Sequence, residues 1–274
     1  MNRLATSYRL QATNWKQEAR SWQLVAAFMH LKAIVCQVFT REFEHILARS
    51  PHSVDLEIIP MGLHSLGVEM RPHLQERIDA ADPLGYDAIL LGYALCGRGT
   101  EGLRARRTQL ILPRAHDCIG VLMGDRHRYA DYFENHPGVY YRSPGWVEFQ
   151  TPDLKLQPAF PSQKTALGEQ STLEEFIAKY GEDNGRYLYE QFSSFRRNYT
   201  GLTYISTGIP HDDACRTRAR AEAEKENWDF EEVRGSLTLL DRLVNGPWDA
   251  ADFLIVQPGQ TIRANLSDSI VDAQ

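Results

Sequence analysis

The sequence predicts an α/β protein of two Rossmann-like βαβαβ halves with mostly parallel sheets, joined by a proline-rich connector and helices. Three observations predict it. Short β-branched runs alternate with amphipathic segments, the pattern of parallel strands linked by right-handed crossovers. The same order of elements occurs twice, over 31–97 and 202–260. Between them, Pro137, Pro144, Pro152, Pro158 and Pro161 break residues 136–170 into a loop-rich stretch.

The elements follow in order. "LKAIVCQVF" (31–39) is a buried strand, and Thr40 then caps a helix whose Phe43, Ile46 and Leu47 share one face. A second strand covers 54–62, and a helix over 70–81 carries Pro72 near its first turn. "YDAILLGYALCG" (86–97) is a third strand and 108–118 a fourth. After the connector, helices are expected over 171–199. The second half then reads as strand 202–208, helix 214–227, strand 228–235, helix 236–246 and strand 251–260. The resulting organisation is a peripheral or disordered extension (1–28), a first half (29–135), a connector with helices (136–200) and a second half (201–274).

Composition narrows the function. A net charge of −6 gives no electrostatic reason to expect a nucleic-acid partner. No apolar stretch reaches the roughly 18–20 residues of a membrane span, and "WQLVAAFMHL" runs into Lys32 rather than a small-residue cleavage site. Four cysteines in 274 residues do not make a disulfide scaffold, so reduced thiols in a cytoplasmic protein are expected.

Three of those cysteines end strands of the first half. Cys36 closes "KAIVC", Cys96 closes "AILLGYALC", and Cys118 follows "LILPRAHD". Ligands of open parallel sheets sit beyond the carboxyl ends of the strands, so these thiols are expected to converge. His116 lies two residues before Cys118. Thiolates and imidazole are soft and borderline ligands for zinc or iron, and three protein ligands leave a fourth position open. An iron–sulfur cluster with one open iron suits three cysteines equally well. Asp117 is placed to orient a ligand or to act as a base. Each cysteine taken alone is more at home as a small buried hydrophobe; the three together, each abutting a polar or Gly-rich turn, favour the metal or reactive-thiol reading. Cys215 opens a charged helix and reads as a solvent-facing or packing residue rather than a ligand. His211, Asp212 and Asp213 read as a helix N-terminus with acidic residues on the positive end of its dipole.

Gly97, Gly99 and Gly102 spell GxGxxG, yet they follow the third strand rather than the first. Only "LRARRT" separates Gly102 from the next strand, too short for the helix of a dinucleotide site. Gly97 and Gly99 are expected instead to let a bound cofactor approach the backbone beside Cys96.

At "LGYALCGRGTEGL", "LPRAHDCIGVLMG" and "GVYYRSPGWVEF" the chain resembles the DUF1638 family, a domain of unknown function. The resemblance runs from about Lys32 to Ile262. Its pattern of a cysteine after the first strand, a YGLCG-type loop and PRAHDC falls on Cys36, Cys96 and His116-Asp117-Cys118, with Ala94 where glycine is usual. A GTYY…GW-type segment matches Gly138, Tyr140, Tyr141, Gly145, Trp146 and Glu148. The resemblance implies an association with corrinoid-dependent methyl transfer, hence one-carbon or methylamine-type metabolism, a small-molecule substrate and a corrinoid protein as candidate partner. Tyr141, Trp146 and Glu148 are expected to close the pocket or to pack the connector. Three readings stand: a Cys/His-ligated metalloenzyme with Glu148, Asp117 and His116 as catalytic groups, a non-catalytic metal- or corrinoid-binding accessory protein, and a metal-free cysteine nucleophile with His116 as base.

Overall fold

The computed structural model describes residues 28–61, 67–149, 173–193, 199–265 and 267–274. The run HLKAIVC forms β1 (His30–Cys36), buried along nearly its whole length. Unbroken burial marks a central strand covered on both faces, and β3 (Ala88–Gly92) and β4 (Leu110–Pro113) are likewise buried throughout. Around them are α1 (Thr40–Leu47), β2 (Ser53–Ile59) and α2 (Gly67–Ala81). These strands are parallel neighbours in the order β2-β1-β3-β4, and β8 (Phe253–Val256) completes the sheet antiparallel to β4. Mostly parallel pairing in one mixed α/β sheet is thus what the alternating pattern implied.

After β4 come α3 (Cys118–Met123), α4 (Arg126–Asn135), β5 (Val139–Arg142) and α5 (Pro144–Phe149). A helical pair, α6 (Leu173–Tyr180) and α7 (Glu182–Ser193), precedes β6 (Gly201–Ser206), α8 (Asp212–Glu226) and β7 (Asp229–Arg234). A second sheet has the order β5-β6-β7, parallel throughout. Then α9 (Thr238–Asn245) packs beside α1, β3 and β4, on the first sheet. A hairpin of β9 (Ile262–Ala264) and β10 (Val271–Ala273) follows β8.

Three features depart from the sequence reading. The strand expected to finish the second half, β8, pairs with β4 instead. Its residues Phe253, Leu254 and Val256 are buried, and the open edge of β4 offers them apolar neighbours on both sides. The second sheet takes its third strand from the expected connector, where Val139, Tyr140 and Tyr141 are a β-branched and two aromatic residues that suit a strand. The remainder of that connector, 150–172, and the N-terminal extension up to residue 27 lie outside the described residues. Thr40 is the first residue of α1 rather than its cap, and its hydroxyl donates to the Gln37 carbonyl (2.8 Å).

Two contacts fix the layers. A Cβ on Gly145 would fall 1.9 Å from the Val38 carbonyl oxygen, so only glycine lets α5 lie against the turn that follows β1. Arg114, after β4, donates to the carbonyls of Ala250 (2.9 Å), Phe253 (3.2 Å), Ser269 (3.0 Å) and Val271, tying the C-terminal segment to the sheet. Among the described residues no helix is long and apolar enough to cross a membrane.

Candidate functional site

The order of strand addition in the larger sheet reverses at β1, whose parallel neighbours are β2 on one side and β3 on the other. Such a switch point opens a crevice at the carboxyl edge, where ligands of this architecture bind. Cys36 is the last residue of β1 and Cys96 follows β3, so the two flank that crevice. Cys118 begins α3, just beyond β4.

All three cysteines are buried, at 1%, 6% and 5% exposure. Burial pushes each thiol well above its ordinary value. Each also feels another's charge: Cys118 raises Cys36, Cys36 raises Cys96, and Cys96 raises Cys118. The three thiols thus stand near enough for each to feel the charge of a neighbour. Among the described residues, no group of three or more His, Cys, Asp or Glu side chains is assembled as a metal cage.

Backbone geometry aims Cys96. It has φ +49°, a left-handed conformation that costs a non-glycine residue about 1–2 kcal/mol, and Arg98 shares it at φ +69°. The turn is held by Cys96 N–H to the His116 carbonyl (2.8 Å), Leu95 N–H to Ala115 (3.0 Å) and the buried Thr100 hydroxyl to Ala94 (3.0 Å). Gly97 supplies φ +61° and is exposed. At Gly99 the missing side chain is replaced by Met70, whose Cε lies 1.9 Å from where a Cβ would stand. Most amides of this loop are spent, since those of Gly99, Thr100, Glu101, Gly102 and Leu103 all donate to carbonyls. A phosphate cradle needs free amides, so the GxGxxG letters do not describe one here.

The other expected residues fall into two groups. Asp117 caps α3 by accepting from Gly120 N (2.9 Å) and accepts again from the Tyr129 hydroxyl (2.9 Å). Its charge raises the Cys96, Cys118 and Tyr141 groups. Trp146 lies beside Cys118 and favours the thiolate there, but among the described residues its indole N–H has no partner in hydrogen-bond geometry. The hydroxyls of Tyr141 and Ser143 are also buried without a partner. Burial first, then the charges of Asp117 and Glu231, push Tyr141 up to about 12, so its proton stays on. Among the described residues these are three buried donors lacking acceptors, with Trp146 beside Cys118 and Tyr141 near Asp117. Buried polar groups are nearly always satisfied, and orphans gathered at one place point to a ligand.

Two expected residues stand apart from that group. The His116 side chain is exposed, and its backbone carbonyl is what holds Cys96. Glu148 gives both carboxylate oxygens to Arg41, one of them to Nε at 2.9 Å, joining α5 to α1. Cys215 is buried in the small apolar cluster under the second sheet, which makes it a packing residue rather than a solvent-facing one.

Sequence reasoning missed Tyr129, whose only signal was its place one turn into a helix after the PRAHDC loop. It also missed Glu42. This carboxyl is 0% exposed, accepts from Thr207 Oγ1 (3.2 Å) through one oxygen and leaves the other unpartnered. Burial, then the nearby charges of Asp212 and Glu148, push it up to about 7 against the lowering hydrogen bonds. Asp212 is itself buried and accepts from Tyr204 OH, Ser206 Oγ (2.8 Å) and Gly208 N (2.7 Å), tying the loop after β6 to the start of α8. Asp212 and Asp213 do occupy the first turn of that helix.

A family profile described as "protein of unknown function (DUF1638)" matches residues 58–244. No curated protein and no solved structure matches the chain.

Proposed function

The chain belongs to the DUF1638 family, and on that premise we propose that it is a cytoplasmic metalloenzyme whose Cys36, Cys96 and Cys118 hold zinc or iron. An iron–sulfur cluster is the alternative occupant of the same thiols. What supports the reading is that three buried thiols lie at or just beyond the carboxyl ends of the neighbouring strands β1, β3 and β4. Their chemistry suits a soft or borderline metal, which displaces thiol protons on binding and so removes the cost that burial places on a bare thiolate. Bound there, the metal supplies Lewis acidity or an activated thiolate.

The remaining residues have separable tasks. Tyr141, Trp146 and Ser143 offer donors to an acceptor group of the substrate. Asp117, oriented by Gly120 N and Tyr129, is the carboxylate set to hold or take a proton beside Cys118. His116, exposed and two residues before Cys118, is read as a further ligand or proton carrier. Glu148 is spent on Arg41, which fits a positioning role for α5 better than proton transfer. The two parallel sheets are read as Rossmann-like units of unequal size, with the proline-rich stretch leading from one to the other. Group transfer, methyl transfer first, is the reaction class we assign, with a small-molecule substrate and a corrinoid protein as partner. It rests on the family's association with corrinoid systems.

A metal-free nucleophile is less well supported, because the thiols are driven neutral and the histidine expected as their base is exposed. Elemental analysis of anaerobically purified protein is expected to give stoichiometric zinc or iron. Cys96→Ala and Cys118→Ala should lose it while keeping the far-ultraviolet circular dichroism of the parent. Metal-free parent protein, or full occupancy in both variants, would overturn the assignment. Metal retention without methyl transfer from any methylcorrinoid protein would leave the site an accessory one.

A further inference from the structure

The carboxyl ends of β6 and β7 flank a cleft of about 780 Å³ that none of the cysteines lines. That volume lies within the roughly 300–1,000 Å³ of small-molecule sites. Ser206, Thr207 and Gly208 form one wall, and Arg234, Gly235 and Ser236 the other. Strand register sets Ser206 opposite Arg234, so both walls continue directly from paired strand ends. This is the position at which a parallel sheet receives ligands, repeated on the second sheet.

The hydrogen bonds of the walls define what fits. The Ser206 hydroxyl donates to Asp212 (2.8 Å), Thr207 to Glu42 (3.2 Å) and Ser236 to Thr238 (2.9 Å). With their protons committed, these hydroxyls can only accept from a ligand. Glu232, also lining the cleft, gives Oε1 to Arg216 (3.0 Å) and keeps its other oxygen as an acceptor. Arg234 is the opposite kind of group. Its guanidinium pairs with no carboxylate among the described residues, and its donors are free for an oxyanion. The backbone carbonyl of Arg234 accepts from Arg128 (2.7 Å), which brings a second positive charge near the same strand end.

We infer that this cleft binds a small hydroxylated acid, its oxyanion on Arg234 and its hydroxyls donating to the serine and threonine oxygens and to Glu232. The oxyanion is a carboxylate or a phosphate. The inference does not rest on the metal reading, because neither the lining nor the contacts include Cys36, Cys96 or Cys118.

Isothermal titration calorimetry on the full chain tests it with three probes: glycerate, glycerol 3-phosphate and glycerol. Saturable binding of glycerate or glycerol 3-phosphate is expected, and which of them binds more tightly identifies the oxyanion. Glycerol, lacking the acid, should not bind. Arg234→Ala should weaken the favoured acid at least tenfold, and Arg234→Lys should restore part of the affinity. Arg234 is exposed at a strand end, so neither variant threatens the fold. Cys96→Ala should bind the acid as the parent does. Failure of both acids to bind, equal binding of glycerol, or unchanged affinity in Arg234→Ala would overturn the inference.

Discussion

Glu42 shows how one residue's surroundings set a property of the whole protein. A carboxyl with no exposure and one side-chain donor holds its proton more tightly folded than unfolded, with a value raised from 4.5 to about 7. The folded form therefore binds more protons than the unfolded one between those values. The stabilisation from this proton is complete below about pH 4.5 and is lost as pH rises through about 7. Asp212, Glu148 with its Arg41 partner, Cys215 and Tyr204 are the other ionisable groups gathered there. Glu42→Gln removes the titration. Its stability relative to the parent should rise between pH 4.5 and 7.5 by on the order of 3 kcal/mol, read from urea denaturation at each pH. A constant difference across that range would show that Glu42 does not titrate there. Legibility at this scale divides by chemistry. Cys36 was readable because it ends β1, whereas Cys96 and Cys118, also expected at strand ends, lie in the turn after β3 and at the start of α3, because those strands already stop at Gly92 and Pro113. Glu42 was not readable, because its partner Thr207 is 165 positions away and no local pattern joins them.

At the level of elements, Asp117 does two tasks. It caps α3 through Gly120 N, and through Tyr129 OH it fastens α4 to the same turn. Removing such a cap costs about 1 kcal/mol, and losing a charged hydrogen bond about 1.5–3 kcal/mol. Asp117→Ala should therefore destabilise by more than Tyr129→Phe, and a double-mutant cycle should return a coupling of about 1 kcal/mol or more by chemical denaturation. Additive effects would mean that α4 is held by other contacts. Most elements were legible from periodicity, including every strand of the larger sheet up to β4. The pairing of β8 was not. Its apolar run is compatible with either sheet, and only the unfilled edge of β4 decides between them. Val139–Arg142 was concealed by the prolines around it, which mark the segment as irregular although four residues between them extend and pair.

Across the molecule, the C-terminal segment is secured to the larger sheet through Arg114. The guanidinium is largely buried and reaches four carbonyl oxygens, with Asp272 3.7 Å away. Arg114→Ala strands those carbonyls, at about 1–3 kcal/mol for each buried group left unsatisfied. The expected outcome is a loss of about 2–4 kcal/mol in stability, with limited proteolysis cutting first within 250–274. Unchanged protease resistance there would show that β8 alone secures the segment.

The return of β8 also sets a schedule for synthesis. Residues 253–256 close the β4 edge, yet they leave the ribosome about 140 residues after Pro113. At about 5–20 residues per second that interval is roughly 7–28 s. Throughout it the nascent chain carries β1 to β4 with one flank open, while the entire second sheet is translated. An open parallel flank is an aggregation hazard. A cell making this protein has to shelter a half-finished sheet until its last strand arrives.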